Sequence, residues 1–475
     1  GRISLALVND FNSQHKLGMD LNGELGGDFF QISGLGSAVN AQANENNGTS
    51  SGVTFTVTDT SELTVSDYLL TYNGNDEYTL TRLSDRDTTT LDTSGTYPYT
   101  STAIDGFTVA ITGAPAAGDV FRIQPTAGVM QSFDLLIGEP AKIAAANPIR
   151  TETASANTGS GIVNPGTMTD ATAYVPDDYS IVLADATSAI ANGVVGTITD
   201  SSGNSTLSYE LEVNGVTVYT QTESDAPLAD LQDLADAING ASDANVELTG
   251  VKAYVDSTAN VLYLANVPAS PVPITVVENL VTSAGTVEDG DTVTGYFGST
   301  LTGSTTPTAT AATFDRVADS YVVVDGSDAV VTSDTFTDGA DIAFNGIEVA
   351  IRGEPNLGDT FTIVPNTTGI SDNKNMLALA ALQTTGTIEG GTATYQDGYS
   401  ALTGNIGTQS NQAQVNRNAQ EALLNHALAA RSEVSGVNLD EEAVDLLKFQ
   451  QLYQASARLI STADTMFQEL LGVLR

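Results

Sequence analysis

Two stretches 240 residues apart constrain this chain more than anything else in it. "DGFTVAITGAPAAGDVFRIQP" (105–125) and "NGIEVAIRGEPNLGDTFTIVP" (345–365) align without a gap. They share Gly106/Gly346, Val109/Val349, Ala110/Ala350, Ile111/Ile351, Gly113/Gly353 and Pro115/Pro355. The match continues through Gly118/Gly358, Asp119/Asp359, Phe121/Phe361, Ile123/Ile363 and Pro125/Pro365. Val109 and Ile111, then Phe121 and Ile123, alternate as residues do when one face of a strand meets a core. The Gly/Pro segment between them supplies the turn of a strand pair. Two copies are too few for a stacked array. They predict two related β modules on either side of an insertion.

The other elements fit that plan. "DYLLTYNGNDEYTLTRL" (67–83) reads as a hairpin turning at Asn73-Gly74-Asn75-Asp76. The interior, 155–315, begins and ends in Thr/Ser/Gly/Pro-rich segments expected to be linkers, "NTGSGIVNPGT" and "LTGSTTPTATAAT". Inside it two strands meet at Asn214-Gly215. A helix with Leu228, Leu231, Ala235 and Ile238 on one face stops at Asn239-Gly240, and two more strands follow. This is a ββαββ pattern.

Both ends read as helix. "RISLALVNDFNSQH" places Ile3, Leu7 and Phe11 on one face and stops at Gly18. The Ala-rich segment 411–434 is a weakly apolar helix ending at Ser435-Gly436. A new helix then starts at Asn438, with Glu441 three residues on as in a capping box. Leu446, Phe449, Tyr453, Ser456, Ile460, Ala463, Phe467, Leu470 and Leu474 recur by threes and fours, a heptad a/d seam. Leu452, Leu459, Met466 and Val473 widen it beyond a two-stranded coil. Such a face either serves the chain's own core or assembles with other subunits, and few long helices are available here to cover it. The expected class is therefore multi-domain α+β, with long α-helical terminal segments, β-rich outer domains and an inserted ββαββ-type module. Its expected parts are 1–50, 51–154, 155–315, 316–372 and 373–475.

Composition narrows the chemistry. The chain has no Cys, no Trp and two His, His15 and His426. That removes thiol catalysis, disulfides and zinc fingers. Histidines so far apart read as surface or helix residues rather than a catalytic pair, so neither enzyme, cofactor nor metal is expected. Net charge is −42, which makes nucleic acid and anionic membrane poor partners. From Thr151 to Asp315 the only basic side chain is Lys252, against 21 Asp and Glu, a solvated, self-repelling surface. No apolar run approaches the ~18 residues of a membrane span. The first residues lack the basic, apolar and small-residue parts of a secretory signal.

"GMDLNGELGGDFF" (18–30) looks at first like a calcium loop. Counted from Asp20, however, the obligatory central glycine falls on Leu25 and the bidentate Glu on Gln31. A helix stop followed by tight turns needs only Gly18, Gly23, Gly26 and Gly27.

The segment "SGVNLDEEAVDLLKFQQLYQASARLISTADTMFQELL" resembles the C-terminal signature of flagellar axial proteins, most closely the hook-associated protein 1 family. "LALVNDFNSQHKLGMDLNGELGGDFF" is similar to that family where its N-terminal helices give way to outer domains. "DLLIGEPAKIAAA" (134–146) and "DNKNMLALAALQ" (372–383) are similar to it as well. Hook protein, flagellin and the distal junction protein share the terminal helix type but not the whole set. The resemblance implies a non-enzymatic part of the bacterial flagellum, a ring of its own subunits joining hook and filament. Its implied partners are hook protein, the second junction protein (hook-associated protein 3) and a cytoplasmic export chaperone at the C-terminal helix. It implies an extracellular location reached through the flagellar type III pathway without a cleaved signal. The assembly face would then be Leu446, Phe449, Tyr453, Ile460, Ala463, Phe467, Leu470 and Leu474. The family also carries a long N-terminal helical segment that pairs with this helix. The alternatives are another axial protein, flagellin-like or distal, and a secreted β-rich adhesin. Tyr and Phe are spread among strand positions rather than clustered for a groove, which weighs against the adhesin.

Overall fold

The computed structural model describes residues 1–48, 52–113, 115–187, 207–221, 228–240, 243–282, 292–297, 300–302, 310–313, 319–436 and 438–474. It divides into two units, Gly1–Tyr395 and Gln396–Arg475.

The first unit opens with α1, Arg2–Lys16, which buries Leu5, Ala6, Val8, Asn12 and His15. Two antiparallel sheets over one core follow. One runs in the order Gln42–Ala43, Val120–Ile123, Tyr68–Gly74, Glu77–Arg82, Thr88–Asp92. The other runs Val39–Asn40, Gly52–Val57, Phe107–Thr112, Tyr99–Thr100. The alternating residues Val53, Phe55, Val57, Leu70, Leu80, Val109, Ile111, Phe121 and Ile123 fill the space between them. The 68–74/77–82 hairpin is as expected, with Asn75 and Asp76 at positive φ. The repeated strand pair is not. The 107–112 and 120–123 strands belong to opposite sheets, so the Gly/Pro loop carries the chain across the sandwich instead of closing a hairpin. Asp119 pins that crossing, accepting from Gly48 N (2.6 Å) and Ala116 N (2.9 Å).

The second copy repeats the first in strand order, except that Val39–Asn40 has no counterpart among the described residues and Gly52–Val57 is represented by two short strands. Its larger sheet contains the order Ile149–Thr153, Thr360–Pro365, Tyr179–Thr187, Ser320–Val324, Val330–Thr335, and Val261–Asn266 with Val251–Asp256 extends it from the far end of Tyr179–Thr187 to seven strands. In its other sheet, Ile347–Arg352 pairs with Ile162–Val163, Thr167–Met168 and Asp341–Phe344. Register is kept as well as order. Phe121↔Leu70 and Ile123↔Tyr68 become Phe361↔Ile181 and Ile363↔Tyr179. Val57↔Phe107 becomes Met168↔Ile347. The segment 157–167, expected to be a linker, is thus part of the sandwich. Asn157 exchanges two hydrogen bonds with the Thr360 backbone (2.8 and 2.9 Å), and two short strands follow. In the other expected linker, 301–313, residues 303–309 lie outside the described residues, and Thr310–Thr313 is a strand paired with 275–278 rather than a linker.

Between Thr187 and Ser320 sits the ββαββ pattern with additions. Leu207–Val213 and Val216–Gln221 turn at Asn214-Gly215, both at positive φ. The next helix, α2, is Leu231–Asn239, capped when the Asp230 side chain accepts from Asp233 N. It begins later than the apolar spacing suggested, and Leu228 packs on the core from the approach to it. A short α3, Ala244–Thr249, precedes the Val251–Asp256/Val261–Asn266 hairpin. Thr275–Thr282 returns to pair with the first strand.

After the sandwich come α4, Lys374–Ala381, then α5, Tyr395–Ser435, and α6, Leu439–Val473. Helix α5 starts 16 residues before the expected 411.

Candidate assembly site

Among the described residues, no group of three or more His, Cys, Asp or Glu side chains could hold a metal ion. No described helix is long and apolar enough to cross a membrane.

The 18–30 stretch is a hub between α1, the first sandwich and α4. Asp20 is buried and accepts from Asn22 N (2.7 Å), Glu24 N (3.0 Å) and the Asn22 amide (3.0 Å). Burial pushes its carboxyl up, but these donors together hold it below the usual range. Asn12 is buried and caps Phe29 and Phe30 from their backbone side. The two phenyl rings pack edge-on against Phe11 at 4.8 and 5.3 Å. Gly18 and Gly26 are there for close approach. A Cβ on Gly18 would lie 2.0 Å from the Asn375 amide, and one on Gly26 would lie 2.0 Å from His15 O. Gly27, also expected to be required, has nothing within 4 Å of such a Cβ.

His15 lies within α1, as a helix residue should, but is fully buried. Its Nδ1 meets Gly27 O at 2.8 Å and its Nε2 accepts from Ala144 N at 2.9 Å. That arrangement fixes the neutral ring with the proton on Nδ1. Burial lowers its pKa, opposed by the Gly27 contact and the charges of Asp20 and Asp28. Sequence reasoning missed both Asn12 and His15, because a polar residue on an amphipathic helix reads as surface.

Helix α6 is well capped. Asn438 Oδ1 accepts from Asp440 N at 3.1 Å, and Asp440, Glu441 and Glu442 place negative charge at the positive end of the helix dipole. None of its residues is buried. Of the expected seam, Leu446 is 61% exposed, Phe449 70%, Tyr453 78%, Ile460 68%, Phe467 64%, Leu470 61% and Leu474 82%. Ala463 is exposed too. Covering a side chain of this size is worth about 1.5–3 kcal/mol, so the seven large ones represent roughly 10–20 kcal/mol of uncollected burial. Contiguous apolar surface on this scale marks an interaction face.

Two family models match the chain. One describes "Flagellar hook-associated protein 1, D2-like domain" and matches residues 42–125, the first sandwich. The other describes "Flagellar basal body rod FlgEFG protein C-terminal" and matches 429–473, the end of α5 and all of α6. Flagellar hook-associated protein 1 of Escherichia coli K12 is 36% identical over 149 residues, 31% of this chain and 25% of that protein. Over these stretches the chain is similar to flagellar hook-associated protein 1. The same-named protein of Bacillus subtilis 168 is 32% identical over 103 residues, 22% of this chain and 20% of its own length. The alignments therefore span about a quarter or less of these relatives. The flagellar hook junction protein FlgK from Burkholderia pseudomallei shares the fold. It has a TM-score of 0.53 at 22% identity, over 91% of this chain and 59% of that one.

Proposed function

We propose that this chain is a structural component of the bacterial flagellum that joins hook to filament by self-assembly through α6. One observation carries the reading. A sandwich matched by a hook-associated protein 1 domain model and a terminal helix matched by an axial-protein model occur in one chain, and that helix leaves its apolar seam uncovered. Leu446, Phe449, Tyr453, Ile460, Ala463, Phe467, Leu470 and Leu474 are the assembly contacts. Their partners are neighbouring helices of the same subunit type, with hook protein on one side and hook-associated protein 3 on the other. An exposed seam also needs shielding before assembly, which is the task of a cytoplasmic chaperone during type III export. The finished protein is extracellular.

Ile460→Asp tests the proposal in flagellated cells. It would place an unpartnered carboxylate in the packed seam, at a cost of several kcal/mol. The expected variant is made and exported, yet the cells shed filament protein into the medium. Leu446→Ala should weaken assembly by about 2–5 kcal/mol at a fully packed site. Normal swimming with Ile460→Asp contradicts the assignment.

A further inference from the structure

The first sandwich supplies an internal control for the chain inserted within the second. Beyond strand order and register, they share their fastenings. Tyr68 donates to Asp105 Oδ2 at 2.6 Å, and Tyr179 is met by Asn345 Nδ2 at 3.0 Å. Asn47 exchanges two bonds with the Val120 backbone, as Asn157 does with Thr360. Asp119 and Asp359 each hold the crossing loop by backbone N–H groups. In the first copy, Tyr72 pairs with Tyr78 and the chain turns through residues 73–77. In the second, the equivalent pair is Leu183↔Tyr321, and residues 184–320 fill the place of that turn.

We infer that the chain between Leu183 and Tyr321 is a guest set into one hairpin tip of a duplicated host sandwich, and that the host folds without it. Its entry and exit are neighbours, since Ala184 pairs with Ser320. Closing a long loop costs only slightly more than closing a short one, and hairpin tips are where insertions are tolerated. The guest has its own sheet of Leu207–Val213, Val216–Gln221 and Thr275–Thr282, and its own helix α2. Several attachments tie it to the host. Lys252 Nζ lies 2.9 Å from Asp328, Ser333 Oγ donates to Asp256 Oδ2 at 2.6 Å, Ser270 N donates to Leu357 O at 3.3 Å, and Tyr254 and Tyr263 pack with Val182 and Val322. The buried side chains of guest and host form one continuous cluster, so independence is a demanding claim rather than a consequence of a gap. It also moves the boundary. Residues 155–183, which the sequence assigned to the insertion, belong to the host.

The test replaces 184–320 by the five residues of Asn73–Glu77, joining Leu183 to Tyr321 as Tyr72 is joined to Tyr78. Amide exchange is then read in the 149–153, 347–352 and 360–365 strands. Protection within about tenfold of the parent is expected, whereas deletion of 155–315, which removes three host strands, should abolish it. Loss of protection in the grafted chain, with the 68–82 hairpin still protected, overturns the inference. Exchange in the intact chain at increasing denaturant is the second measurement. Guest strands 207–213 and host strands 360–365 should open in separate steps. A single shared opening overturns the inference even if the graft does not fold.

Discussion

Asp359 offers the sharpest test of the sandwich account. It is fully buried and accepts from Thr158 N (2.7 Å), Asn356 N (2.8 Å) and Gly159 N (3.0 Å). Asp359→Ala removes three charge-assisted acceptor bonds and leaves three backbone donors without that partner. Each such bond contributes ~1.5–3 kcal/mol, but part of the loop reaches water, so the total should be about 3–5 kcal/mol. Asn in its place keeps one good acceptor oxygen and should lose about half of that. With a urea m-value of ~2 kcal/mol/M, the alanine variant's midpoint for the second sandwich should fall by ~1.5–2.5 M. Asp334→Ala is the control, because that carboxylate is exposed and, among the described residues, accepts only from Thr335 N; it should stay within about 0.5 kcal/mol. Asp119→Ala should reproduce the loss in the first sandwich and leave the second unchanged. A fall below about 0.5 M for Asp359→Ala refutes the claim that this carboxylate pins the crossing loop.

His15 should make stability depend on pH. Its folded pKa lies below its unfolded value, so its contribution is complete above ~6.5 and is lost as pH falls, because only the unfolded chain takes the proton there. The urea midpoint of the parent minus that of His15→Gln should shrink on acidification from pH 7; a constant difference contradicts the neutral-ring assignment. Gly106→Ala and Gly346→Ala put a Cβ 2.1 Å from Asp59 O and Asp170 O at positive φ, and each should cost about 2–4 kcal/mol in thermal denaturation. Gly27→Ala, with open space around it, should be neutral or stabilise by up to ~1 kcal/mol. Lys252→Met leaves Asp243 and Asp328 facing one another, yet both are more than half exposed, so the loss should be ~0.2–1 kcal/mol and should shrink in 1 M salt.

Features set by local chemistry were legible in the sequence. Asn73–Asp76 and Asn214-Gly215 announce turns because few residue types tolerate positive φ. Asn239-Gly240 announces the end of α2 for the same reason, and the aligned repeat revealed the paired modules. Partner choice between sheets was not legible. The alternation of Val109 and Ile111 is the same whether the following strand pairs with it or crosses to the other sheet. The start of α5 was hidden because Gly398, Gly404 and Gly407 read as helix breakers, although Tyr395, Tyr399, Leu402 and Ile406 recur by fours and threes. The buried hub of Asn12 and His15 was hidden because its hydrogen-bond partners, Phe29, Phe30, Gly27 and Ala144, come from distant backbone. The α6 seam was plain in its heptads, since one helix face needs no long-range information. One helix face does not say what covers it.

That covering can be measured directly. The chain contains no cysteine, so Tyr453→Cys creates a single thiol at a position 78% exposed in the isolated chain. Maleimide labelling should be fast in the purified protein and strongly suppressed in intact flagella isolated from cells that carry the variant. Equal labelling in both would show that the seam stays open in the flagellum, and would contradict assembly through α6.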